Sequence, residues 1–391
     1  MTDQTNTQDN KDKRKLLRRT AAVVLMFAAL AFSVWFMQEF MCIPFNYDSI
    51  RVINLHKEPE NSIDVLLVGS SATYSDFSSP YAYEKFGFTS YPYAIGGSTC
   101  TMWKPAVKDA LDRQKPKLIV VDVFGGGYER ELIETRNNQL SIVMSQTAWS
   151  KEKVETAGEL AEQVSRTSVA SFLFPFIKYH NNVPLCVSTL PDRLRLEASG
   201  PSPLKGLNTL TRSRWLRKVD PASFTDESVP LDEKTEALIV DFIDYCHSQD
   251  IDVLFVKYPS VLTEFDPDEL EVNRRANRIL EIAGENGCET LNMQKHFHDI
   301  GLKEREDFYN HGHTNTRGQK KITEYLGKYL QDNMGIGPSE LSDDVKAEWD
   351  EAVRYWDAYQ AEAERMTQEN IAVNFGDEPL VLRQLSKEVN K

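Results

Sequence analysis

Hydrophobic positions along the chain follow three patterns, and each predicts a different kind of element. From Ala21 to Met37 the run is uncharged, with Ser33 as its one polar residue, close to the lower end of the ~17–25 residues a membrane-spanning helix needs. From about residue 60 the apolar residues gather instead into short unbroken runs. These are Val65 to Val68, Leu118 to Val121 within Lys117–Phe124, and Val253 to Val256, and each ends at a Gly or Pro turn. Such runs predict strands buried on both faces of a parallel sheet, with Thr89 to Gly97 as an edge strand and Glu289 to Asn292 as a short one. Between them, helical spacing marks Met102 to Gln114, Glu233 to Ser248 and Glu269 to Glu285. A further helix places Ile322, Tyr325, Leu326, Tyr329 and Leu330 on one face. This alternation predicts an α/β fold, three-layer αβα with a parallel sheet, over residues 60–335.

The alternation breaks between about 140 and 230, where helix-like pieces mix with loops rich in Ser, Pro and Thr. The insertion is expected to be mostly helical, either a substrate-shaping lid or a surface elaboration. His180 within it is a candidate to reach a site, or a surface histidine. After Pro338 a further amphipathic helix, to about residue 370, spaces Val345, Trp349, Ala352, Val353, Trp356, Tyr359 and Ala363 at helical intervals. Such a stripe packs back on the domain or meets a partner or a membrane surface, and its acidic residues disfavour an anionic bilayer. A polar tail, 371–391, closes the chain.

Charge sharpens the first pattern. Lys11, Lys13, Arg14, Lys15, Arg18 and Arg19 precede the apolar run. A cytoplasmic tail (1–19), a single anchor (20–41) and an extracytoplasmic remainder at the cell membrane are therefore expected. Cleavage near Ala29-Leu30-Ala31 as a signal peptide is the rival and would discard the apolar residues after it. The net charge of −14 argues against a nucleic-acid partner. Five scattered cysteines without a CxxC pair suggest neither disulfides nor zinc.

Two loops carry candidate chemistry. Gly69-Ser70-Ser71 follows the first strand, at the sheet edge where ligands bind. A serine there becomes a nucleophile if a base takes its proton and amides receive the oxyanion. Asp307 to Asn315, just before the last helix of the sheet, holds His311 and His313. His311 and His313, with His296 and His298, also form two His-x-His pairs, but loop residues two apart rarely both face one ion without a further ligand. Neither a metal nor a cofactor is expected.

With Gly-Ser-Ser after the first strand and Phe308-Tyr309-Asn310-His311-Gly312-His313-Thr314-Asn315 near the end, the chain resembles the SGNH/GDSL hydrolase superfamily. It is most similar to the membrane-anchored bacterial branch, and distantly to D-alanyl-teichoic-acid transfer proteins. The resemblance covers roughly residues 60–135 and 230–335. It implies an SGNH-type, flavodoxin-like fold, with Ser71 as nucleophile and His313 as base. It also implies that the amide of Gly96 or Gly97 joins that of Ser71 at the oxyanion. Two positions depart from the pattern. No third-block asparagine is found where Phe124-Gly125-Gly126-Gly127 stands, and Asn310 takes the place of the last-block aspartate. Either Asn310 or Asp307, a turn earlier, is then the residue that orients His313. The resemblance implies a serine esterase or acyltransferase acting on O-acyl groups of cell-envelope glycans or teichoic acids, with a membrane-bound acyl donor protein as a candidate partner. The rival is a catalytically impaired protein of the same fold that binds or assembles others at the envelope.

Overall fold

The structure, a computed structural model, describes residues 2–38, 46–136 and 138–371. The last residues of the expected anchor (39–41) and the tail from 372 lie outside the described residues. At the N-terminus α1 (Thr2–Phe36) is one continuous helix. Its stretch Lys13–Phe36, 24 residues with none buried, is long and apolar enough to cross a membrane. The basic cluster shares this helix with the apolar run.

The chain forms two units. One contains α1 and residues 174–197. The other, residues 46–173 and 198–371 as described, holds the sheet. It begins with α2 (Tyr47–Leu55), which the hydrophobic pattern did not reveal because its buried face includes Ser49, Arg51 and Asn54. Then come β1 (Val65–Gly69), α3 (Ser71–Asp76), α4 (Ser79–Phe86), β2 (Ser90–Ala94), α5 (Trp103–Leu111) and β3 (Leu118–Asp122). After β3 the chain is helical through α6 (Arg130–Thr135), α7 (Asn138–Gln146), α8 (Lys151–Gln163) and α9 (Val169–Leu173). In the other unit lie α10 (Pro175–Tyr179) and most of α11 (Val183–Ala198). The α/β alternation resumes with α12 (Glu233–Ser248), β4 (Asp252–Lys257), α13 (Pro267–Glu285) and β5 (Glu289–Asn292). A small antiparallel hairpin, β6 (Phe308–Asn310) and β7 (His313–Thr314), stands where the sequence suggested only a loop. The helices α14 (Thr316–Met334) and α15 (Asp343–Gln368) follow.

The five strands β1 to β5 pair in parallel in the order β2-β1-β3-β4-β5. Successive side chains of a strand point to opposite faces, so each strand feeds two cores. Leu66, Val68, Ile119, Val121, Val253 and Phe255 enter one core with residues of α5, α12 and α13. Val65, Leu67, Leu118, Val120, Leu254 and Val256 enter the other with α14. The result is a three-layer α/β domain. Pro92 is tolerated because β2 is an edge strand with one ladder to satisfy.

The insertion is helical as far as Ala198 and then irregular up to α12 apart from one short turn at Pro221–Phe224, and it is not peripheral throughout. Leu140, Val143 and Met144 of α7, and Phe172 of α9, are buried in the first core. The terminal helix α15 packs back on the domain. Trp356 stacks on Tyr81 at 4.5 Å and Trp349 lies against Tyr83 at 5.1 Å. Beneath it, the Lys205 Nζ and Glu58 carboxylate, both almost fully buried, pair at 2.8 Å.

Candidate active site

In this strand order the chain turns outward on either side of β1 and β3, which opens a crevice at their carboxyl ends. Gly69 ends β1 there. A Cβ at Gly69 would collide with Asp122 and Thr73, so only glycine lets β1 pass this close to the end of β3. Ser71 is the first residue of α3, so its amide has no intrahelical acceptor.

The β6–β7 hairpin brings His313 to this turn. His313 Nε2 lies 2.6 Å from Ser71 Oγ, and Nδ1 lies 2.8 Å from Asn310 Oδ1. The same Oδ1 accepts the Gly312 amide at 3.0 Å. That oxygen is therefore an acceptor, the imidazole proton sits on Nδ1, and Nε2 is left to accept from Ser71. Burial lowers the His313 pKa to about 4, so the ring is neutral over the range in which a base must be.

Of the two candidates for orienting His313, Asn310 makes the contact. Asp307 is buried and engaged elsewhere, accepting from Lys321 Nζ at 2.7 Å and the Lys303 amide at 2.8 Å. It makes no hydrogen bond to His313 among the described residues. The two glycines also separate. The Gly96 amide donates to Asp48 Oδ1 at 3.1 Å, whereas Gly97, in the left-handed region at φ 68°, lines the cavity beside Ser71. His311 lines the same cavity but is held on the Val261 carbonyl at 3.1 Å and makes no hydrogen bond to Ser71 or His313 among the described residues. His296 pairs with Asp299 and His298 packs on Phe224, so neither His-x-His pair converges. His180 is exposed in the unit that contains α1.

The cavity over Ser71 and His313 has a volume of about 410 Å³. Phe124, Tyr128 and Val261 give it apolar walls, and Asp266 and Glu269 bring carboxylates to it. Burial and the neighbouring Asp266 and Asp268 raise the Glu269 pKa.

Several supporting residues were not read from the sequence. Asp122, fully buried at the end of β3, accepts from Ser70 Oγ at 2.7 Å, the Ser70 amide at 3.2 Å and the Phe124 amide at 3.0 Å. The Ser70 side chain is thus tied across the crevice to the end of β3. The signal was present, since Asp122 closes the clearest strand of the chain at the ligand edge. Asp76 accepts from the Thr314 amide at 2.9 Å and Thr314 Oγ1 at 2.8 Å, next to His313. Burial raises its pKa to about 7. Tyr74, one turn after Ser71, lies under the Arg51 guanidinium at 3.7 Å, and burial pushes its phenol up to about 12. No sequence signal joined Arg51 to this site, because only the packing of α2 beside α3 brings its guanidinium to Tyr74.

The fold and site together define a three-layer α/β protein with a Ser–His–Asn arrangement at the crevice of a parallel sheet. No family model matches the sequence, and no curated protein matches it. Among solved structures it is similar to a "putative acylhydrolase" from Bacteroides fragilis NCTC 9343, at 10% identity over 72% of this chain and 93% of that one, with a TM-score of 0.31. A likeness of that size carries no functional argument.

Proposed function

We propose that this protein is a serine esterase or acyltransferase of the SGNH type. The observation that supports this reading is the linked pair of contacts, Ser71 Oγ to His313 Nε2 and His313 Nδ1 to Asn310 Oδ1, beneath an open cavity. Ser71 Oγ attacks the acyl carbon while its proton passes to Nε2. The tetrahedral oxyanion faces the amides of Ser71 and Gly97. Collapse expels the alcohol, which takes the proton from His313 and leaves an acyl-enzyme. An incoming hydroxyl then gives His313 its proton as it attacks the acyl carbon, and the bond to Ser71 Oγ breaks as His313 returns the proton to that oxygen. Water makes the reaction hydrolysis, and a sugar or polyol hydroxyl makes it transfer.

The reading extends to place. With α1 as an uncleaved anchor and the basic cluster inside, the site faces the envelope. O-acyl groups on envelope glycans or teichoic acids are the substrate class, and a membrane-bound acyl donor protein supplies the transfer branch. One observation favours the rival, a binding or assembly role without chemistry. The partner of His313 is an amide, which orients the ring but does not stabilise an imidazolium as a carboxylate does.

A fluorophosphonate probe decides between them. The wild-type chain should label at Ser71, and Ser71→Ala should abolish labelling while Ser70→Ala weakens it at most. A wild-type chain that never labels would leave the binding role.

A further inference from the structure

Residues 212–218 run beside the candidate site and carry Arg212, Arg214, Arg217 and Lys218 within seven positions of a chain whose net charge is −14. The segment and the residue two positions after it are held to the hairpin that carries His313 and to the loop after β4 that lines the cavity. The Arg214 amide donates to the carbonyl of Phe308, the first residue of the hairpin that holds Asn310 and His313, at 3.2 Å. The Asp220 amide donates to the carbonyl of Leu262, which lines the cavity, at 2.7 Å. Arg305 joins the segment through Nε to the Leu216 carbonyl at 3.3 Å.

Among the described residues, none of these five cations forms an ion pair with a carboxylate. Carboxylates on the same stretches are engaged by other groups. Glu304 accepts the Val219 amide, Glu306 pairs with Lys303, and Asp220 accepts the Ala222 amide. Two of the guanidiniums lie over exposed aromatic rings instead, Arg305 over Trp215 at 4.3 Å and Arg217 over Phe265 at 4.0 Å. Trp215 is 72% exposed and Phe265 61%. A guanidinium stacked on a ring keeps its N–H edge free for a bidentate oxyanion, and the stacking fixes its plane. The ring beside it offers a flat face to a sugar or polyol. Arg212 is also held at φ 86°, a strained value for a side-chain-bearing residue.

We infer that this basic and aromatic ridge, built by Arg214, Trp215, Arg217, Lys218, Arg305 and Phe265, binds a polymer that carries anionic groups along its length. The ridge leads that polymer past the catalytic hairpin to Ser71. The inference rests on the esterase or acyltransferase reading for the polymer's role as substrate, and on the ridge alone for its binding. The complementarity is one of charge. Free cations on an acidic protein gather anions locally, and salt screens the attraction.

The test titrates the full-length chain in neutral detergent with poly(glycerol phosphate) and with polygalacturonate, following tryptophan fluorescence. Both polymers should bind, and neutral dextran should not compete. Arg214→Gln with Arg217→Gln and Arg305→Gln should weaken binding about tenfold or more, as should raising NaCl from about 50 to about 300 mM. Arg214→Gln with Lys218→Gln, both exposed, provides a second variant with little packing to lose, and it should weaken binding in the same direction. Unchanged affinity in that second variant, or equal binding of dextran, would overturn the assignment. So would binding confined to phosphatidylglycerol vesicles. Fluorophosphonate labelling of wild-type Ser71 in the same samples keeps the two readings apart. Labelling without polymer binding removes the ridge and leaves the esterase, and binding without labelling does the reverse.

Discussion

His313 Nε2 lies 2.6 Å from Ser71 Oγ, although 242 positions separate the two residues in the chain. The β6–β7 hairpin makes this contact and leaves the neighbouring His311 on the Val261 carbonyl. His313→Ala should therefore cost about 10²–10⁴-fold in ester turnover, the range for losing a general acid–base group. His311→Ala should cost little. Equal losses in both variants would show that the hairpin acts as a unit and not through one imidazole.

Asn310 in contact with Nδ1 makes a prediction about both pH and rate. His313 titrates at about 4 because burial penalises its charged form. A base must be neutral to accept a proton, so the acid limb of the pH–rate profile should lie well below the 6.5 of a free imidazole. Asn310→Asp places a carboxylate against Nδ1, favours the imidazolium, and should move that limb upward while raising the rate about tenfold or more. Asp307→Asn, which touches Lys321 and not His313, should leave the limb where it is. A limb that moves in Asp307→Asn and stays in Asn310→Asp would assign the orienting role to Asp307.

Asp76 has a raised pKa of about 7, against 3.8 for an ordinary aspartate, because it is wholly buried and the Asp122 carboxylate lies near it. Between those values the folded state holds a proton that the unfolded state has lost, so stability falls as pH rises from about 4 to about 7. Asp76→Asn keeps an acceptor for Thr314 and removes the titration. Melting temperatures measured at pH 5 and pH 8 should differ less in the variant than in wild type. An unchanged difference would show that other groups set the pH dependence.

Lys205 and Glu58 form an ion pair with both side chains at most 2% exposed. Removing one partner leaves an uncompensated buried charge, so Lys205→Met should destabilise by ~3–5 kcal/mol in urea unfolding. Glu58→Leu with Lys205→Met should recover most of that loss, since an apolar pair carries no desolvation penalty. A double variant no more stable than the single one would show that Lys205 acts through its stem and its contact with Trp349.

Local pattern alone determined the layers of this protein. Runs such as Val65–Val68 and Val253–Val256, short, β-branched and closed by turn residues, read as strands buried on both faces, and helix α12 begins and ends where its periodicity does. The stretch of helix after Arg19 needed no tertiary information either, since being long and apolar enough to cross a membrane is a matter of length and composition. Ser71 and His313 stood out through the resemblance of their two loops to a known pattern, which chose them over the neighbouring Ser70 and His311. The tertiary structure decided everything that depends on which turns meet. It gave His313 to Asn310, assigned Asp307 to Lys321, tied Ser70 to Asp122, and spent the Gly96 amide on Asp48. Sequence leaves such choices open because a side chain's partner is set by the packing of distant elements. One carboxylate or amide among several nearby in the chain becomes functional only when the fold aims it.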